Sequence, residues 1–275
     1  MALKLVIIGG GRMGSALMRG LTSSGWASPT ELMIVEANEA QRQRLESGHH
    51  GLAAVSEMPN DSCPDAVLAV KPQDAEQACI QAASKGVRRL LSVAAGVTTQ
   101  SLEQWMGPEA VVVRSMPNIP ALVGHCAAGM AAGSRARQAD LQWASDVLGS
   151  VGKAVSVPEN MMDAVTGLSG SGPAYFFLVV EALTEAGVRV GLDREIASSL
   201  ARQTFIGAAR LMEDTGESAE DLRIAVTSPA GTTAAGIASL EESKARQAFI
   251  MAVAAATSRS AELGRANEES PHLPR

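Results

Sequence analysis

Short runs of β-branched and aliphatic residues alternate with amphipathic, helix-like stretches over the first 157 residues. The six apolar runs are KLVIIG, ELMIVE, AVLAV, LLSVAAG, AVVVRSM and KAVSV. Strands that alternate with helical segments are typical of βαβ units and a parallel sheet, with helices on both faces. The pattern therefore predicts an α/β domain with a doubly wound parallel sheet.

From residue 159 onward the strand-like runs disappear, and Ala, Leu, Glu and Arg recur at helical spacing. Gly187, Gly191 and Gly216 are interpreted as helix stops. The pattern predicts a domain boundary near Pro158, with an α/β domain in residues 1–158 and an all-α domain in residues 159–275. Only the last ten residues, ANEESPHLPR, are predicted to be disordered.

The segment FFLVVEAL is apolar nearly all round. A helix with this pattern is enclosed by protein on every side. Because the second domain has few helices, another copy of the chain is predicted to cover part of this surface, in a homo-oligomer formed through the helical domain. Burial within a single chain is the alternative.

Charge and cysteine usage exclude several classes of partner. The 275 residues carry a net charge of −6 and no basic block, which argues against nucleic acid. No apolar run is long enough for a membrane span, and the N-terminus lacks a signal-peptide pattern, so a cytoplasmic protein without membrane contact is expected. Cys63, Cys79 and Cys126 show no paired spacing and are predicted to be reduced thiols; His49 and His50 lack a third ligand, so no metal is expected.

A glycine pattern follows the first apolar run. Gly9, Gly11 and Gly14 occur in IIGGGRMGSAL at GxGxxG spacing, directly before an amphipathic helix. Gly9 permits the tight turn, Gly11 lets the backbone approach a pyrophosphate, and Gly14 lets the helix pack closely on the sheet. Together with Arg12 and Met13, these residues predict a Rossmann-type dinucleotide site at the helix N-terminus.

Glu36 ends the second predicted strand, 22 residues after Gly14. A carboxylate at this distance typically accepts hydrogen bonds from the adenosine ribose and repels a 2′-phosphate, which favours NADH over NADPH. Arg42 or Arg44 on the following helix could still pair with that phosphate. Either NADH or NADPH therefore remains open as the cofactor.

Ligands of open α/β sheets lie beyond the carboxyl ends of the strands. Five cofactor candidates stand at the ends of predicted strands: Ala69, Lys71, Pro72, Ala95 and Asn118. Ser56 is a further cofactor candidate.

Two runs, LSGSGPAYFF (168–177) and VTSPAGTTAAG (226–236), contain hydroxyl groups and glycines but no histidine, lysine, cysteine or carboxylate. Alcohol and hydroxyacid dehydrogenases usually need a proton carrier such as His or Lys. A cyclic imine that arrives already protonated needs only positioning, a carboxylate pocket and a hydrogen bond to the nitrogen. The runs are therefore predicted to form an anion pocket that faces the nicotinamide.

The motifs GGGRMGSAL, AVKPQD, SVAAGV, RSMPNIPALVG, TGLSGSGPAYFF, EAGVRVGL and VTSPAGTTAAGI, in this order, resemble pyrroline-5-carboxylate reductase. The resemblance implies reduction of L-1-pyrroline-5-carboxylate to L-proline by NAD(P)H, and dimers formed through the helical domain that often assemble into decamers. It implies that Thr233 hydrogen-bonds the ring nitrogen, and that Ser171 and Gly172 lie near the nicotinamide. The implied substrate residues are Val226, Ser228, Gly231, Thr232 and Thr233.

The chain departs from the family pattern in two segments. Ala230 replaces a usual glycine and costs about 1 kcal/mol if this position has a positive φ. Glu36 and Ala37 stand where many members carry an Asn-Arg or Ser-Ser type pair, which puts the usual NADPH preference in doubt. The alternatives are another imine or β-hydroxyacid-type reductase of the same architecture, and a protein that senses dinucleotides without catalysis.

Overall fold

The computed structural model describes residues 3–269, with side chains described as far as Arg265. The described chain divides into two compact units. The first comprises residues 3–171 and 254–269, and the second comprises residues 172–253. The predicted boundary near Pro158 therefore lies inside the first unit, and independent folding of residues 1–158 stays a prediction.

The first unit is built on one eight-stranded sheet with the order β3-β2-β1-β4-β5-β6-β7-β8. All neighbouring strands are parallel except β6 and β7, which are antiparallel. The strands are β1 (Leu5–Ile8), β2 (Leu32–Val35), β3 (Ala53–Val55), β4 (Asp65–Leu68), β5 (Arg89–Ser92), β6 (Val111–Met116), β7 (Cys126–Ala132) and β8 (Gly152–Ser156).

Eleven α-helices occur in the described residues. Those of the first unit are α1 (Arg12–Ser23), α2 (Glu39–Gly48), α3 (Ala75–Ser84), α4 (Thr99–Met106), α5 (Gln138–Gly149) and α6 (Met162–Val165). The second unit contains α7 (Gly172–Arg189), α8 (Arg194–Thr215), α9 (Ala219–Ala225) and α10 (Thr232–Glu242), and α11 (Ala245–Glu269) begins in it and ends in the first unit. None of the helices in this part of the chain is long and apolar enough to cross a membrane.

Strand β1 shows why the sheet is covered on both faces. Leu5 and Ile7 belong to a core that includes residues of α1 and α5, whereas Val6 and Ile8 belong to a second core with residues of α3 and α4. Successive side chains of a strand point to opposite faces, so a strand that is apolar at every position requires helices on both sides. The predicted doubly wound α/β fold is confirmed.

Strands β3 and β7 were not among the predicted strands. β3 has three residues, and β7 has the sequence CAAGMAA, which lacks the β-branched residues on which strand prediction depends. β7 forms because it pairs with β6 on one side and β8 on the other. Neighbouring strands thus override its weak local preference.

The interpretation of Gly187 as a helix stop is wrong, because Gly187 lies inside α7. A Cβ added there would lie 2.9 Å from the Cβ of Ala197 on α8, so this glycine permits close helix packing. Gly191 and Gly216 do have positive φ and follow α7 and α8. The predicted disorder is wrong for residues 266–269, which continue α11, and residues 270–275 lie outside the described residues.

Cys63, Cys79 and Cys126 are free and buried, as the sequence predicts for reduced thiols. Burial disfavours the charged thiolate and raises the pKa of Cys79 to about 12. Burial also raises the pKa of Cys63 and Cys126.

Candidate active site

The loop between β1 and α1 has the geometry of a pyrophosphate cradle. Gly9 has φ +105°, and a Cβ added to it would lie 2.6 Å from the carbonyl oxygen of Ala69. A Cβ at Gly14 would lie 2.0 Å from the carbonyl oxygen of Gly9, so α1 approaches the loop more closely than any side chain allows. Gly11 is the N-cap of α1, and the space around it is open. The three glycines therefore fit a dinucleotide phosphate at the helix N-terminus.

A cleft of about 590 Å³ lies at the carboxyl ends of β1, β2, β3 and β4. This volume lies within the range typical of cofactor sites. Six predicted cofactor residues line the cleft: Gly9, Gly11, Glu36, Ser56, Ala69 and Lys71. The cleft is also lined by Ala37, the neighbour of Glu36, and by residues that the sequence analysis did not single out: Ile8, Val35, Glu57, Val70, Asp74, Gln77, Ala78 and Gln81.

Glu36 follows β2 and is held in place by two backbone donors. Its Oε2 accepts a hydrogen bond from the N–H of Gly10 at 2.8 Å, and its Oε1 accepts one from the N–H of Asn38 at 2.9 Å. The Nη1 atom of Arg42 donates to the carbonyl oxygens of Glu36 and Ala37 at 2.7 Å each. The carboxylate of Glu36 and the guanidinium of Arg42 are therefore both fixed by backbone groups at the end of β2.

Five other predicted cofactor residues lie at three places in the first unit. Arg12, Met13 and Gly14 form the first turn of α1. Pro72 begins a 3₁₀ turn, Pro72–Asp74, and Ala95 is exposed after β5. Their contacts with a cofactor stay predictions.

Asn118 is buried after β6 and both ends of its amide are engaged. Its Nδ2 donates to the carbonyl oxygen of Ser169 at 2.9 Å, and its Oδ1 accepts from the N–H of Ala127 at 3.0 Å. The predicted contact of Asn118 with the cofactor stays a prediction.

The SGSG run has an unusual helical form. A π-helix spans Thr166–Gly170 between α6 and α7, and the N–H of Ser171 donates to the carbonyl oxygen of Thr166 at 2.9 Å. Gly172 is buried and is the first residue of α7. A π-turn inside a helix is common at functional sites.

The TSPAGTT run of the second unit forms a turn and the start of a helix. The N–H of Gly231 donates to the carbonyl oxygen of Ser228 at 3.1 Å, and Gly231 is the N-cap of α10. Thr232 and Thr233 form the first helical positions, and Val226, Ser228, Thr232 and Thr233 are all exposed. The run therefore presents hydroxyl groups and free N–H groups at a positive helix end, which suits a carboxylate.

Ala230 has φ +58°. This is the positive φ at which alanine is less favourable than the glycine usual in the family. Pro at the second position and a positive φ at the third are typical of a type II turn, which favours glycine. We expect Ala230→Gly to raise the free energy of unfolding by about 0.5–1 kcal/mol, because relief of left-handed strain exceeds the added entropy of the unfolded chain. Urea unfolding measures the change.

Ala235→Gly, inside α10, is the matched control and should have the opposite sign, a loss of about 1 kcal/mol. A loss of stability in Ala230→Gly would contradict the strain at this position.

The described residues contain no group of three or more His, Cys, Asp and Glu side chains that could hold a metal ion. The first unit offers a phosphate cradle and the carboxylate of Glu36. The second unit offers the neutral hydrogen-bond donors of the TSPAGTT run.

This fold and this cleft define a Rossmann-type oxidoreductase that binds a nicotinamide dinucleotide. Residues 4–96 match the family of coenzyme F420-dependent NADP oxidoreductases, and residues 159–263 match the pyrroline-5-carboxylate reductase dimerisation family. The chain belongs to the pyrroline-5-carboxylate reductase family, which confirms the resemblance drawn from its motifs.

Individual relatives support this assignment over nearly the whole chain. A pyrroline-5-carboxylate reductase of Arabidopsis thaliana is 41% identical over 263 residues, which cover 94% of this chain and 95% of the relative. The solved structure of a Coxiella burnetii pyrroline-5-carboxylate reductase is 33% identical, with a TM-score of 0.89 and coverage of 96% of this chain and 99% of the other. A Plasmodium falciparum pyrroline carboxylate reductase, solved with NADP bound, is 29% identical, with a TM-score of 0.79 and coverage of 95% and 98%.

Proposed function

We propose that the chain reduces the C=N bond of L-1-pyrroline-5-carboxylate to give L-proline. Membership of the reductase family supports the reaction, and the observation that carries it in this chain is the TSPAGTT run. The run offers hydrogen-bond donors without a titrating side chain. An imine that is already protonated requires no stronger acid than this.

Gly9, Gly11 and Gly14 would hold the pyrophosphate of the dinucleotide against the N-terminus of α1, and Glu36 would bind the adenosine ribose. When bound, the reduced nicotinamide supplies a hydride, with its electron pair, to the imine carbon that becomes Cδ of proline. The fixed geometry of the glycine loop supports this role because a bound phosphate finds its donors already oriented.

The substrate carboxylate is proposed to bind at the N-terminus of α10. The hydroxyl groups of Ser228 and Thr232 and the N–H groups of the first helical turn can each donate a hydrogen bond to it. Val226 would contact the apolar part of the ring. Gly231 keeps this approach open, because a Cβ there would lie 2.4 Å from Oγ of Ser228.

Thr233 is proposed to act on the ring nitrogen. When the C=N bond is reduced, the nitrogen gains a lone pair, and the Thr233 hydroxyl can donate a hydrogen bond to it. An oriented donor of this kind stabilises the transition state more than the ground state. Ser171 and Gly172 are proposed to lie near the nicotinamide.

The cofactor is proposed to be NADH at least as readily as NADPH. Glu36 supports NADH because its carboxylate would face the negative 2′-phosphate of NADPH. Arg42 would partly offset this repulsion of NADPH, because its guanidinium is held at the carbonyl oxygen of Glu36 and could pair with the 2′-phosphate.

The chain contains a dimerisation domain, and several apolar side chains of α7 are uncovered within the single chain. Phe177 is 59% exposed and Leu178 is 63% exposed. We propose that a second copy covers them in a homodimer, and that dimers assemble further into a decamer. Buried free thiols support a reducing location such as the cytoplasm.

Leu178→Glu is expected to weaken dimerisation about 30-fold or more, because it places a charge in an apolar interface. The exposure of Leu178 within the chain means that the fold of one chain is little affected. Sedimentation velocity over a range of concentrations measures the dissociation constant, with Glu109→Lys, an exposed position of the first unit, as the control. An unchanged dissociation constant for Leu178→Glu would place the interface elsewhere.

Steady-state kinetics test the proposed reaction. The purified protein should oxidise NADH or NADPH with pyrroline-5-carboxylate, and show little activity with a panel of 3-hydroxy acids and oxidised cofactor. Activity with the hydroxy acids alone would favour the β-hydroxyacid-type alternative. Binding of the dinucleotide without either reaction would favour the sensing alternative.

A further inference from the structure

The carbonyl groups at the end of the π-helix Thr166–Gly170 need hydrogen-bond donors. In an α-helix the carbonyl oxygen of Ser169 would accept a hydrogen bond from the N–H of residue 173. That residue is Pro173, which has no N–H. The usual α-helical donor for this carbonyl is therefore missing from the sequence.

Asn118 supplies a donor in its place. Its Nδ2 donates to the Ser169 carbonyl oxygen at 2.9 Å, while its Oδ1 accepts from the N–H of Ala127 at the start of β7, at 3.0 Å. The N–H of Asn118 also points to Sγ of Cys126 at 3.4 Å. Asn118 is 8% exposed, so water has little access to replace these bonds. One side chain thus ties the π-helix to the sheet.

The packing beneath the π-helix leaves little freedom for its position. A Cβ added to Gly129 on β7 would lie 2.7 Å from Cγ1 and Cγ2 of Val165, at the end of α6. A Cβ added to Gly170 would lie 3.0 Å from Cε of Met116. The end of α6 and the π-helix therefore pack against β7 and β6, and the Asn118 amide adds a hydrogen-bonded link between the Ser169 carbonyl and β7.

We propose that Asn118 is a positioning residue for hydride transfer, which acts through the π-helix and not by binding the cofactor. The π-helix ends directly before Ser171 and Gly172, so a shift of the Ser169 carbonyl moves both residues. This inference rests on the proposed role of Ser171 and Gly172 near the nicotinamide.

Asn118→Asp tests the proposal with a nearly isosteric change. The variant keeps an acceptor for the Ala127 N–H but places an oxygen against the Ser169 carbonyl. Amide hydrogen exchange of residues 162–172, measured without any ligand, should become about tenfold faster or more because a buried bond is lost. Ser169→Ala is the matched control: it removes only the hydroxyl that donates to Val165, and it should change exchange by about twofold or less.

Kinetics of the same variants separate positioning from cofactor binding. Asn118→Asp should lower kcat about tenfold or more and increase the isotope effect with NADH deuterated at C4, while the NADH dissociation constant stays within about threefold. A kcat within twofold of the unchanged protein, or a loss of NADH affinity equal to the loss of kcat/KM, would overturn the proposal. If the unchanged protein does not reduce pyrroline-5-carboxylate, the proposed function fails, and the exchange measurement still decides whether Asn118 holds the π-helix.

Pro173→Ala provides a rescue, because it restores an N–H at residue 173. In the double variant with Asn118→Asp, hydrogen exchange and kcat should recover in part. If Asn118→Asp alone does not fold, recovered folding of the double variant supports the proposal. A double variant that remains unfolded, or that recovers neither hydrogen exchange nor kcat, would show that the Ser169 carbonyl is not the critical partner of Asn118.

Discussion

We expect Thr233→Ala to lower kcat/KM for pyrroline-5-carboxylate about 100-fold or more. The substitution removes the one hydroxyl that is proposed to meet the ring nitrogen, and loss of an oriented donor of this kind typically costs about 100-fold or more in kcat. Thr233 lies in the first turn of α10 and is exposed, so its truncation should leave the free energy of unfolding nearly unchanged. Steady-state kinetics and urea unfolding of the same preparations measure both quantities.

Thr233→Ser is the matched control, because it keeps the hydroxyl and loses only the methyl group. It should lower kcat/KM by less than about tenfold. An alanine variant within threefold of the unchanged protein would show that Thr233 does not act on the nitrogen.

Glu36→Ser should shift the cofactor preference toward NADPH by about 5- to 150-fold in kcat/KM. The Glu36 carboxylate is fixed by the N–H groups of Gly10 and Asn38, so it cannot easily turn away from a 2′-phosphate. If the ribose binds at the end of β2 as proposed, removing the carboxylate ends the repulsion of like charges, and Arg42, which is held at the carbonyl oxygens of Glu36 and Ala37, can pair with the phosphate. In the unchanged protein NADH should serve at least as well as NADPH.

Glu57→Ser removes another carboxylate from the wall of the same cleft and serves as the control. It should leave the ratio of kcat/KM for the two cofactors within about threefold, because Glu57 follows β3, the ribose is proposed to bind at the end of β2, and water in the open cleft screens the charge. A tenfold preference for NADPH in the unchanged protein, unaltered by Glu36→Ser, would show that Glu36 does not face the ribose.

Most of the first unit could be predicted because its strands are locally distinctive. β1 and β2 are aliphatic at every position, and the glycine pattern marks the turn from β1 into α1. β7 could not be predicted, since its alanines and glycines prefer no particular structure and form a strand only through β6 and β8. The role of Gly187 in helix packing could not be predicted for a related reason. Its close contact with Ala197 joins two helices and leaves no local signal in the sequence.

Some residues of the candidate site could likewise be predicted from the sequence, and others could not. Gly9, Gly14 and Glu36 occupy positions in a motif whose geometry follows from the motif itself. Gln77 and Gln81 line the cleft because α3 faces it, which no spacing in the sequence reveals. The bond between Asn118 and Ser169 joins residues that lie 51 positions apart, and only the missing N–H of Pro173 hints that a donor is needed.

The most direct test of the account is to identify the product of the purified protein with pyrroline-5-carboxylate and NADH that is deuterated at C4 on the transferred face. We expect L-proline with one deuterium at Cδ, formed in a 1:1 ratio to the NADH consumed. The Thr233→Ala variant should form it about 100-fold more slowly. Failure to form proline with either NADH or NADPH, or proline without deuterium at Cδ, would contradict it.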